Sequence, residues 1–261
     1  MAKAKGRKIA DYVFWTIIIL IWTAVSVIAA QLIIGNFMIL ILGSENMSSP
    51  VSTAVFSALS YVAAMVLIIF VPPLIKRCWR NNKKGEKVPK KLVSRDEIGL
   101  KGWPTWTDIG LAPVGYLVYL VLGAIIVSFF SVFPWFDAEQ VQDVGFNTYI
   151  VGIDRIVAFL TLVVIAPIAE EIIFRGWLYG KLREKFSTAT TNIVSMIISA
   201  FLVSVLFGAV HLQWNVGVNV FALSLVLCAL REITGTIYAG ILLHMLKNGI
   251  AFYLLYVIGI H

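Results

Sequence analysis

The chain has 261 residues, 60% of them hydrophobic and only 13% charged, with a mean hydropathy of +0.91 and a formal charge of +7. A soluble domain is roughly 45–50% apolar and about 25% charged, so a water-soluble globule is excluded. The positive balance reads as cytoplasmic loops of a membrane protein and not as a nucleic-acid surface.

The basic segment Met1–Lys8 precedes an apolar run too long for a signal-peptide core, with no small-residue cleavage site, so a retained first helix is expected from Tyr12 to Ile34 or on to Leu42. After the polar turn Gly43–Ser49, helix two spans Pro50–Ile75. The longest polar stretch, Lys76–Pro104, is strongly basic and suits anionic lipid headgroups. Trp103, Trp106 and Asp108 open helix three, which ends near Phe133. Asp137, Glu139 and Asp143 make the next loop acidic. Helix four covers Tyr149–Leu182, helix five Asn192–His211, helix six Val216–Leu230 and helix seven Gly235–Ile258.

Runs of about 20 apolar residues match the roughly 30 Å hydrocarbon core. The expected fold is therefore all-α, a polytopic bundle of seven transmembrane helices, or eight if helix one or four is broken. The basic loops fall on one side, which puts the N-terminus in the cytoplasm. Residues 1–148 read as N-terminal helices with their basic loop, and 149–261 as a catalytic core. Cys78 sits in the basic loop and Cys228 in an apolar run, so neither a disulfide nor a cysteine metal site is expected.

Polar groups interrupt the apolar runs of this second part. Glu170, Glu171 and Arg175 lie on helix four, His211 closes helix five, and His244 and Asn248 share a face of helix seven at i,i+4 spacing. Carboxylates at membrane depth are costly and mark functional sites. Glu171 and Arg175 can pair locally, while Glu170 points about 100° away and is freer to act as a general base. Pro167 lacks an N–H and should bend helix four just before them. Each group taken singly has a structural explanation, such as helix–helix packing for Asn248. Three helices carrying them together point to a hydrolytic set.

The order Glu-Glu-x-x-x-Arg, Phe-x-x-x-His and His-x-x-x-Asn stands here as Glu170 to Arg175, Phe207 to His211 and His244 to Asn248. It resembles the CPBP family, the type II CAAX prenyl endopeptidases and bacteriocin-processing or immunity (Abi) proteins. The resemblance spans roughly Ile150–Phe252. It implies a glutamate-dependent intramembrane endopeptidase acting on a membrane-associated protein or peptide. By that resemblance Glu170 activates water with help from His211, His244 and Asn248 stabilise the oxyanion, and Glu171 with Arg175 supports the site. No cofactor is implied; two His and a Glu could bind zinc, but no His-Glu-x-x-His is present. A multi-pass protein of a prokaryotic plasma membrane, reached by substrate from the cytoplasm, is the expected setting.

Two other readings use the same residues: a non-catalytic immunity or scaffold protein, and a proton-coupled transporter. Against the latter, the two halves show no repeat and no paired broken helices. One tension remains within the peptidase reading. With helix four ending at Leu182, Glu170 and His211 differ in depth by roughly 10 Å at about 1.5 Å per residue, unless helix five starts later or helix four breaks near Gly176–Gly180.

Overall fold

The computed structural model describes residues 2–75, 93–140, 146 and 150–259, with side chains from residue 11. Cys78 and most of the basic loop, Asp143, Tyr149 and His261 lie outside the described residues.

Seven helices among the described residues are long and apolar enough to cross a membrane, and no strand accompanies them. They are α1 (Ala2–Leu42), α2 (Pro50–Ile75), α3 (Trp106–Phe130), α4 (Gly152–Ser187), α5 (Asn192–Ala209), α6 (Trp214–Thr234) and α7 (Tyr238–Ile258). The protein is an all-α, multi-pass membrane protein. Its outward faces carry large exposed apolar side chains, such as Leu117, Val121 and Ile125 on α3, as lipid-facing surfaces do.

Local chemistry sets the helix ends. Thr105 caps α3 by accepting from the Asp108 N–H, while Asp108 accepts from the Thr105 N–H. Asp108 is thus the partner in a capping box and Thr105 the cap itself. Ser49 caps α2 with Pro50 in its first turn, and Thr191 caps α5. Gly235, at φ 70°, ends α6 in the left-handed region that glycine adopts without strain. Helix three stops at Phe130, where Phe130, Phe133, Trp135 and Phe136 cluster into an aromatic knot.

α4 departs most from sequence expectation. It runs unbroken to Ser187, beyond Leu182, and no break occurs at Gly176–Gly180. Glu170 therefore lies seventeen residues before Ser187, just as Ala209 lies seventeen after Asn192. A turn of four residues joins the two helices, so Glu170 and the end of α5 reach the same depth, about 25 Å from that turn. The apparent mismatch came from ending α4 five residues early.

α4 also contains two stretches of wider π-helix, Leu160–Ile165 and Glu171–Leu178. The first precedes Pro167, so the helix accommodates the proline by widening.

Close helix approach depends on glycine at particular points. Gly208 of α5 faces Gly217 of α6, and a Cβ on Gly208 would come within 2.7 Å of the Gly217 carbonyl oxygen. Gly176 of α4 packs as tightly under the Ile98 carbonyl, which docks the segment 93–102 across the end of the bundle. The same end is tied by Arg183, which donates to both oxygens of Glu232 at 2.7 and 3.0 Å and to Ser195 and Asn192. Glu232 thereby joins α6 to α4.

Candidate active site

Four of the six sequence-selected residues, Glu170, His211, His244 and Asn248, line one cavity of about 630 Å³. Glu171 and Arg175 lie behind it, fully buried. α4, the α5–α6 turn and α7 present these groups, and α2 supplies the opposite wall.

Glu170 is held by a residue that carries no motif. Tyr61 of α2 donates its hydroxyl to Glu170 Oε1 at 2.6 Å, a charge-assisted contact of the short, strong kind. Glu170 Oε2 stands 3.7 Å from His244 Nε2. That separation is beyond a hydrogen bond. The sequence signal for Tyr61 is a polar stripe, Ser57, Ser60 and Tyr61, within an otherwise apolar helix. Helix two offered no other reason to single it out.

Glu171 Oε1 accepts from Arg175 Nη1 at 3.0 Å and from His244 Nδ1 at 3.1 Å. The π-helical backbone starting at Glu171 carries this pair on a buried face. The Arg175 guanidinium lies 4.4 Å from the centroid of the Phe207 ring, a cation–π contact in a dry setting. Phe207 is therefore more than core: it covers the cation that holds Glu171. Gly240 of α7 makes room for this carboxylate, since a Cβ there would come within 3.0 Å of Glu171 Oε2.

The two histidines have defined tautomers when neutral. His211 Nδ1 lies 2.7 Å from the Phe207 carbonyl, which can only accept, so Nδ1 carries the hydrogen and Nε2 presents its lone pair. His244 Nδ1 likewise donates to the Glu171 carboxylate, with Nε2 turned toward Glu170. Burial pushes His211 below the usual imidazole range, while the Glu170 carboxylate and the Phe207 carbonyl pull partly the other way.

Asn248 Nδ2 donates to the main-chain carbonyl of Leu162 on α4 at 2.9 Å. One of its two N–H groups is thereby used within the protein. Lys247 brings its amino group to the same cavity. Among the described residues no group of three or more His, Cys, Asp or Glu is arranged to hold a metal ion. One nitrogen of each histidine is already engaged by protein, at Phe207 and at Glu171.

Residues 152–250 match the family model of the type II CAAX prenyl endopeptidase Rce1-like proteins. The Rce1-like region begins with α4 and ends two residues after Asn248, so it contains all three motifs. It agrees with the resemblance those motifs carry. No curated protein and no solved structure matches the chain. The Rce1-like region leaves out α1–α3, yet Gln31, Tyr61 and Val127 from those helices line the cavity.

Proposed function

We propose that this protein is an intramembrane endopeptidase that hydrolyses a peptide bond of a membrane-associated protein or peptide through a Glu170-activated water. The observation that carries this reading is the shared cavity, in which the Glu170 carboxylate and the bare Nε2 of His211 face space large enough for a peptide segment. A carboxylate and an imidazole lone pair together can hold a water and accept its proton.

In this reaction water sits between Glu170 and His211. Its oxygen attacks the scissile carbonyl carbon as Glu170 takes one of its protons. The tetrahedral oxyanion accepts from the second N–H of Asn248 and from His244 Nε2 when that nitrogen is protonated, donors already fixed in place. Glu170 then gives its proton to the departing amine nitrogen as the C–N bond breaks. Glu171 and Arg175 do not touch substrate; they hold the His244 ring. Tyr61 fixes one Glu170 oxygen and leaves the other for water.

The test compares chain termini, mapped by mass spectrometry, in membranes and medium from cells carrying the wild type or Glu170→Ala. Termini found only with the wild type support the reading and name the substrate. Identical termini, with both proteins folded and equally abundant, would move the function to peptide binding without cleavage.

A further inference from the structure

The cavity has a direction. Eighteen of the 21 Lys and Arg residues fall in the sequence before α1, between α2 and α3, at the end of α4 or at the end of α6, connections that alternate crossing assigns to one side of the membrane: four in residues 1–8, ten in residues 76–101, then Lys181, Arg183, Lys185 and Arg231. Arg155 alone falls at the opposite helix ends, with Glu45, Asp137, Glu139 and Asp154; Arg175 and Lys247 are within helices. An asymmetry this large assigns the basic end to the cytoplasm.

The catalytic groups are sealed from that basic end. Below Glu170 on α4, Ile173, Phe174, Trp177, Leu178, Tyr179 and Leu182 are all buried, and Ile98 closes over Gly176. The cavity extends the opposite way. On α7 it runs from His244 to Tyr256, twelve residues or about 18 Å toward the acidic end. Exposed lining residues, Ala138 and Gln140, belong to the loop after α3 at that same end.

We infer that substrate enters from the non-cytoplasmic side, so the bond cut belongs to an exported peptide or to the extracytoplasmic segment of a membrane protein, and not to a cytosolic tail. The expectation of access from the cytoplasm is thereby replaced. This inference rests on the peptidase reading above. The chemistry of the passage fits a polypeptide: Gln31, Gln140, Gln213, Asn215 and Asn219 give it a polar lining of the amide type, with Asn215 donating to Gln140 Oε1 and Tyr119 donating to Asn219 Oδ1 within the protein.

The test uses the full chain with Cys78→Ser, leaving Cys228 buried. Gln140→Cys or, as a second site on the same loop, Ala138→Cys is exposed to a membrane-impermeant maleimide in intact spheroplasts. Glu184→Cys, at the basic end and 75% exposed, is the control. Labelling of the loop cysteines in intact spheroplasts, with Glu184→Cys labelled only after lysis, is expected. The reverse pattern overturns the inference. Glu170-dependent termini, mapped as above, should then fall in extracytoplasmic segments; termini in cytoplasmic segments overturn it as well. Outward labelling with no Glu170-dependent termini would instead bring down the peptidase reading, and the exported substrate with it, while the orientation of the cavity stands.

Discussion

Asn248 on α7 repairs the hydrogen bonding of α4 at Leu162. The Leu162 carbonyl would take the Ala166 N–H in an α-helix, but Ala166 donates to Thr161 in the π register. Next in that register is Pro167, which has no N–H. The Asn248 carboxamide supplies the missing donor at 2.9 Å. One motif residue is thus coupled to a proline outside every motif, and the coupling fixes α7 against the helix that bears Glu170.

Asn248→Ala should therefore destabilise the protein by roughly 1 kcal/mol, the scale of an interhelical hydrogen bond in a membrane. In a Pro167→Ala background the restored N–H can serve α4 itself, so the Asn248→Ala penalty should shrink. A double-mutant cycle on unfolding in detergent measures the difference. Equal penalties in both backgrounds would remove the coupling.

Glu170→Gln should abolish cleavage, a loss of at least about a hundredfold, while keeping an oxygen that can accept from Tyr61. Tyr61→Phe removes only the donor to Glu170 and should slow turnover on the order of tenfold, as loss of a hydrogen bond to a charged group does. Rates on a substrate identified by terminus mapping, with thermal stability as the folding control, check both.

Arg175→Met strands the Glu171 carboxylate in a fully buried site. Removing one partner of a buried pair costs about 3–5 kcal/mol. Adding Glu171→Gln removes the stranded charge and should recover part of that stability, but not activity, because His244 loses its anchoring carboxylate. Denaturation midpoints and cleavage rates for the single and double variants separate these effects.

His211 gives a pH dependence of definite sign. Its folded pKa is below the 6.5 of a free imidazole, so between the two values the unfolded chain binds more protons. The contribution of neutral His211 to stability is complete above 6.5 and is lost as pH falls from there to the folded pKa. Cleavage should also decline on the acid side as Nε2 takes a proton and can no longer accept from water. His211→Asn should lack this stability component when melting is followed from pH 7.5 to 5.

Sequence alone determined the membrane class, a count of seven or eight helices and which six polar residues interrupt them. Apolar runs of spanning length and charges expelled to loops are local properties, so they can be read along the chain. The starts of α2 at Pro50 and α5 at Asn192 were legible to the residue, whereas the end of α6 at Thr234 and the polar tail of α4 from Arg183 to Ser187 were not, the latter because its hold comes from Glu232 and Ser195 on other helices.

Only the tertiary structure decided that Tyr61 belongs with Glu170, that Phe207 covers Arg175, and that Gly240 leaves room for Glu171. It also decided which end of the bundle the cavity faces. These relations join residues about 30 to more than 100 positions apart, brought together by helix packing. No spacing rule along the sequence encodes them, since each depends on how deeply two helices sit and which faces they turn to one another.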